Sequence, residues 1–131
     1  MLLVDSSVWI AVFRARGPLD LERVAPFDSV ATCLPVVQEV LQGFREERAW
    51  RLAREAMLAL PIVESPMSLG VYEQAIDLFR AARRAGVTVR SSVDCLIAAC
   101  ALAHDLEVLH IDRDFEALAS VSHLRQQRLP V

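Results

Sequence analysis

Short apolar runs alternate with stretches of helical spacing along this chain, and this alternation constrains the fold more than any other feature. Met1–Val4, Ser29–Leu34 and Glu107–Ile111 have the length and the apolar content of buried strands, and Pro61–Glu64 is a weaker run of this kind. The tail after His123 can add an edge strand. Strands that alternate with helices predict an α/β fold, in which a mostly parallel sheet of four to five strands carries helices on both faces.

The connecting segments carry the signals of helices. Ser68 is a predicted N-cap and Gly86 a predicted stop for a long helix between them. Trp9 lies on an apolar face and is expected in the core, whereas Trp50 suits either the core or a groove for a partner. The predicted helices cover residues 8–13, 35–44, 46–59, 68–86, 91–103 and 115–119, with one or two helical turns over 19–24.

Length, charge and composition exclude several classes of protein. A chain of 131 residues suits one domain over residues 1–131. The net charge of −3 is unlike a basic nucleic-acid coat, and the absence of lysine excludes a P-loop or a Schiff base. No apolar run is long enough to span a membrane, and no secretory signal begins the chain, so we expect a cytoplasmic protein. Cys33, Cys95 and Cys100 lack metal-site spacing and are expected to be small buried residues.

Acidic residues stand where the predicted strands end. Asp5 follows the first strand, and Asp112 and Asp114 follow the strand Glu107–Ile111. Asp94 opens a helix and Glu39 lies in another. Because sites in open α/β sheets form at the carboxyl ends of strands, these carboxylates are expected to gather there. Such a cluster repels itself, and a hard divalent cation such as Mg²⁺ or Mn²⁺ relieves the repulsion.

Each of these acids also has a local interpretation. Asp5, Ser6 or Ser7 can simply cap the first helix, Ser91 and Asp94 can form a capping box, and Asp114 can cap the last helix. Glu39 points away from the apolar face of its helix, which favours a solvated side chain.

Arginines form one basic cluster, consisting of Arg80, Arg83, Arg84 and Arg90. Arginine binds phosphate through two donors, so the cluster can contact RNA or a protein partner. The alternative is a solvated helix end that the helix dipole favours. His110, close to the last acids, is a candidate accessory group.

The acids lie in four segments of the chain, which are Leu3–Ile10, Gln38–Gly43, Val93–Ala99 and Asp112–Phe115. Taken together and in order, these segments resemble the PIN domain, and more narrowly the VapC toxins of bacterial toxin–antitoxin pairs. Arg80–Ile97 also looks like a subgroup of actinobacterial VapC toxins.

The resemblance implies a Rossmann-like PIN domain with metal-dependent endoribonuclease activity on transfer, ribosomal or messenger RNA. It implies a VapB-type antitoxin whose tail occupies the site, and a homodimer. Ser6, in place of the family's Thr or Asn, keeps a hydroxyl that can orient a water or a phosphate. A water activated by Mg²⁺ or Mn²⁺ would attack the phosphodiester in line and leave a 5′ phosphate. The implied metal ligands are Asp5, Glu39, Asp94 and Asp112, with Asp114 as a fourth or fifth acid. The resemblance is compatible with either Asp112 or Asp114 as the direct ligand.

Three other classes of function compete with the nuclease. Phosphoacceptor receiver domains and haloacid-dehalogenase-type phosphatases also gather acids around Mg²⁺, but both need a lysine that this chain lacks. A non-catalytic interaction domain that keeps the fold and the acidic pocket remains the alternative, and metal-dependent RNA cleavage distinguishes the two.

Overall fold

A computed structural model describes residues 1–130. The central sheet is five-stranded and wholly parallel, in the order β3-β2-β1-β4-β5. The predicted α/β fold with a parallel sheet is therefore confirmed. The predicted tail strand is present at one edge of the sheet, and the weak third strand forms the other edge. The strands are β1 (Leu2–Val4), β2 (Val30–Cys33), β3 (Ile62–Val63), β4 (Glu107–His110) and β5 (Gln126–Arg128).

Six α-helices of the described residues flank this sheet. The stretch over 19–24 forms a 3₁₀ turn at Leu21–Arg23, and a second 3₁₀ turn, which the sequence did not indicate, covers Phe27–Ser29. The α-helices are α1 (Ser6–Phe13), α2 (Leu34–Leu41), α3 (Glu47–Leu58), α4 (Leu69–Arg84), α5 (Ser92–Ala103) and α6 (Arg113–Ala119).

Local signals place most helix ends where the sequence predicts them. The Ser68 hydroxyl accepts a hydrogen bond from the N–H of Val71 at 3.2 Å and starts α4, and Gly86 follows its end with a φ of +71°. The prediction that α2 continues to Phe44 is wrong, because the helix ends at Leu41. Phe44 leaves the helix and packs edge-on against Phe13, with ring centroids 5.8 Å apart.

The core lies between the sheet and the helices, and α5 is its most deeply buried helix. Residues on every side of α5 are buried, from Asp94 to Ala101. Cys33, Cys95 and Cys100 are buried in this core, as predicted. Trp9 is also buried, as predicted, while Trp50 is half-buried on α3. Within residues 1–130, no helix combines the length and the apolar character that crossing a membrane requires.

The strand order determines where a site can form. The chain leaves the central strand β1 toward β2 and β3, then returns across the sheet to β4 on the opposite side of β1. This reversal is a topological switch point, where the connections diverge and open a crevice at the carboxyl ends of β1 and β4. Val4 pairs with Leu109 at this edge, so the residues that follow both strands are neighbours.

Candidate functional site

The predicted acids come from four different parts of the chain and converge at the carboxyl end of the sheet. Asp5 directly follows β1, and Asp112 and Asp114 lie after β4. Asp94 extends from the first turn of α5, and Glu39 from α2. The carboxylates form two overlapping triads that share Asp94. One triad is Asp5, Glu39 and Asp94, and the other is Asp94, Asp112 and Asp114; within each, one oxygen per residue lies within 4.8 Å of the others.

The centre of this cluster is buried and electrostatically unbalanced. Asp5 and Asp94 are only 2% and 4% exposed. Asp5 Oδ1 and Asp94 Oδ2 are buried without a hydrogen-bond partner among the described residues. Buried polar atoms normally have partners, so two orphaned carboxylate oxygens in one pocket fit a site for a cation.

The pKa values of the central acids show the same imbalance. Desolvation, reinforced by repulsion from Asp5 and the other acids, raises the pKa of Asp94 from 3.8 to about 8. Burial also raises the pKa values of Asp5 and Glu39, although hydrogen bonds from Ser7 and Ser6, respectively, oppose the rise. Without a cation, the pocket therefore holds a proton on at least one acid at neutral pH.

Helix capping explains only part of this arrangement. Asp5 caps α1 by accepting a hydrogen bond from the N–H of Ser7 at 3.0 Å, so its capping and site positions coexist. The expectation that Asp114 caps the last helix is wrong. Asp112 caps α6 and accepts from the N–H of Asp114 at 2.9 Å. Ser91 occupies the N-cap position of α5, but its side chain makes no capping bond within residues 1–130, so the capping-box interpretation of Asp94 fails.

Glu39 is not the solvated side chain that its helix periodicity favours. It is half-buried, and its Oε1 accepts a hydrogen bond from the Ser6 hydroxyl at 2.9 Å. The periodicity correctly places Glu39 off the apolar face of α2, but that side of the helix faces the acidic pocket instead of bulk water. Ser6 thus positions Glu39, and it is itself only 8% exposed.

Ser7 is a site residue that the sequence reasoning missed. Its hydroxyl donates to Asp5 Oδ2 at 2.5 Å and accepts from the N–H of Ile111 at 3.1 Å. One side chain therefore joins the loop after β1 to the loop after β4. A serine two residues after a capping Asp was the available signal, but its second partner lies 104 positions away in the sequence.

Of the four arginines, Arg90 contacts the acids of the pocket. The backbone N–H of Arg90 donates to Asp114 Oδ2 at 3.1 Å, and its guanidinium lies 3.6–3.7 Å from Asp114 Oδ1 and Asp112 Oδ1. Arg90 therefore balances part of the second triad. Arg83 packs over the ring of Phe79, and Arg80 and Arg84 line different surface depressions.

Comparison with known proteins identifies the family of this chain. The PIN domain profile matches residues 2–121. The VapC ribonuclease Mb1587 of Mycobacterium bovis and ribonuclease VapC11 of Mycobacterium tuberculosis are each 34% identical to this chain over 130 residues, which cover 95% of the chain and 96% of either relative. The chain belongs to the PIN domain family, in its VapC branch.

The fold of this PIN domain matches a solved relative as well. The VapBC-5 structure from M. tuberculosis, a member of the VapBC family of toxin–antitoxin systems, superposes with a TM-score of 0.72 at 24% identity, covering 98% of both chains. At this identity the similarity establishes the fold. The acids of the PIN domain and their surroundings are therefore the basis for assigning its chemistry.

Proposed function

We propose that this PIN domain, acting as one domain over residues 1–131, is the endoribonuclease toxin of a toxin–antitoxin pair. The observation that carries the proposal is a pair of buried carboxylate oxygens, on Asp5 and Asp94, that have no partner within residues 1–130 and lie at the centre of five converging acids. The PIN domain's VapC relatives, which are named ribonucleases, support RNA as the substrate. Which class of RNA is cut depends on the loops and grooves around the pocket.

We propose Mg²⁺ as the cofactor, with Mn²⁺ as a substitute. The donor set fits, because it consists of carboxylate oxygens, which hard divalent cations prefer. Two of these oxygens are buried and lack any other partner in the described chain. When bound, such an ion supplies an activated water and stabilises negative charge on the phosphodiester.

The surroundings of each acid indicate whether it would bind the ion or hold the pocket in place. Asp5 and Asp94 would hold the ion through their unpartnered oxygens, and Glu39 would complete that triad in the orientation that Ser6 imposes. Asp112 would be the ligand after β4. Asp114 is already engaged by the backbone and guanidinium of Arg90, so it would hold this loop in place.

Two protein partners are proposed, a VapB-type antitoxin and a second copy of the chain. The similarity to VapBC-5 supports the first, since VapBC-5 is a member of a family of toxin–antitoxin systems. An apolar surface of α4 gives both a place to bind. Leu69, Tyr72 and Ile76 are exposed, and the last two line a groove of about 400 Å³ against α5.

Cleavage of a fluorescent RNA during a Mg²⁺ titration tests the proposed activity. The wild-type protein should cut only when the ion is present, and Asp94→Asn should abolish cutting. Asp77→Asn is the matched control, since Asp77 is exposed on α4 and lies outside both acid triads. A folded wild-type protein that binds a partner but cuts no RNA would instead be a non-catalytic interaction domain.

A further inference from the structure

His110 is a fully buried histidine at the end of β4, and it links the acidic pocket to the edge strand β5. Its Nδ1 lies 3.0 Å from the backbone nitrogen of Asp112. Its Nε2 lies 2.6 Å from Oε1 of Gln126, in β5. The ring also packs against Phe115 of α6, with centroids 5.1 Å apart.

These contacts fix the protonation of the ring. A backbone N–H can only donate, so Nδ1 of His110 must be the acceptor for Asp112 and cannot carry a proton. Nε2 is then the ring nitrogen that carries a proton, and it donates to the carbonyl oxygen of the Gln126 side chain. Both ring nitrogens are occupied, and the ring is shielded from solvent, so His110 does not contact substrate.

The loop after β4 takes its shape from such side-chain contacts. The N–H of Ile111 donates to the Ser7 hydroxyl, that of Asp112 to His110, and that of Asp114 to the carboxylate of Asp112. Three backbone donors in four residues are thus satisfied by side chains instead of by strand or helix pairing. The direction of the Asp112 carboxylate depends on these three bonds.

We infer that His110 is a positioning residue for Asp112. Nδ1 holds the turn that aims the Asp112 carboxylate toward Asp94, and Nε2–H anchors the ring to Gln126. The inference rests on the proposed function, because it takes Asp112 as a metal ligand. Replacing a side chain that orients a metal ligand typically costs about 10- to 100-fold in metal affinity or activity.

Two amide variants separate the two ends of the ring. In His110→Asn, the side-chain oxygen occupies the place of Nδ1 and can accept from the N–H of residue 112, as in an Asx turn. In His110→Gln, the longer side chain reaches the place of Nε2 and keeps only the contact with Gln126. A comparison of the two variants therefore tests whether metal binding requires an acceptor at the place of Nδ1.

Mn²⁺ binding to the full chain, measured from the electron paramagnetic resonance signal of free Mn²⁺, provides the readout. We expect His110→Asn to bind Mn²⁺ within about threefold of wild type and His110→Gln to bind about tenfold or more weakly. Circular dichroism confirms that each variant is folded. Equal affinities in the two variants, whether both high or both low, would overturn the inference.

The wild-type protein gives a second test that needs no variant. A long-range ¹H–¹⁵N spectrum of the imidazoles should show that His110 carries a proton on Nε2 and none on Nδ1. A proton on Nδ1 would overturn the inference even if neither variant folds. Absence of Mn²⁺ binding by the folded wild-type protein would instead refute the proposed function, so the two failures are distinguishable.

Discussion

Replacing Asp94 with asparagine should remove activity and, in the absence of metal, stabilise the fold. Asp94 is 4% exposed, and its pKa is about 8 in the folded protein, against 3.8 for an ordinary Asp. Asparagine has nearly the same shape and no charge. Its amide can donate to the acids around it, among which Asp5 Oδ1 lacks a partner within residues 1–130. The variant therefore removes the repulsion without leaving a cavity.

The size of the effect follows from the interval between the two pKa values. Between pH 3.8 and about 8, the folded protein keeps a proton on Asp94 that the unfolded chain has lost. Because the folded state binds more protons, the free energy of unfolding falls as the pH rises through this window. At pH 7 the cost reaches about 4 kcal/mol, at about 1.4 kcal/mol per pH unit. The neighbouring acids share this cost, so we expect Asp94→Asn to recover about 2–4 kcal/mol.

Thermal melting measured by circular dichroism checks this prediction. In EDTA at pH 8, Asp94→Asn should melt about 10 °C above wild type, since a domain of this size shifts by about 3–5 °C per kcal/mol. The difference should shrink at pH 5, and Mg²⁺ should stabilise wild type more than the variant. Asp77→Asn should melt with wild type. If Asp94→Asn melts below wild type in EDTA at pH 8, the acidic pocket is not under repulsion and the reasoning is wrong.

Three further substitutions test the surroundings of the acids. Ser7→Ala removes the hydroxyl between Asp5 and Ile111. It should lower the free energy of unfolding in urea by about 1–2 kcal/mol and remove much of the RNA cleavage. Unchanged cleavage would show that this hydroxyl does not hold the pocket in place. Arg90→Gln removes a half-exposed counter-charge, so added Mg²⁺ should raise its melting temperature more than that of wild type; an equal rise would contradict this. Phe115→Ala leaves a cavity at a fully buried position and should lower the free energy of unfolding in urea by about 3–5 kcal/mol. A decrease of less than about 1 kcal/mol would contradict this expectation.

Most of the fold follows from local features of the sequence. The apolar runs before Asp5 and Asp112 predict β1 and β4, and the capping Ser68 and terminating Gly86 predict α4 almost to the residue. The early end of α2 could not be predicted in this way, because Phe44 leaves the helix for a ring contact with another helix. That contact depends on tertiary packing, and helical periodicity carries no signal for it.

The site was predictable in its acids but not in its supporting bonds. Asp5 and Asp112 follow strands that pair with each other in the sheet, so their convergence follows from strand order. The position of Glu39 in the pocket could not be predicted, because the sequence does not show which part of the protein lies opposite the polar side of α2. Ser7 and His110 act through partners 104 and 16 positions away, and only the folded chain brings those partners together.

The chemistry of the RNA ends tests the central claim most directly. Wild-type protein is incubated with RNA and Mg²⁺, and the termini of the fragments are identified by enzymatic end-labelling and mass spectrometry. Cleavage by a water held at the acids of this pocket predicts a 5′ phosphate and a 3′ hydroxyl at each cut. Fragments with a 5′ hydroxyl and a 2′,3′-cyclic phosphate, formed equally well in EDTA, would contradict the account.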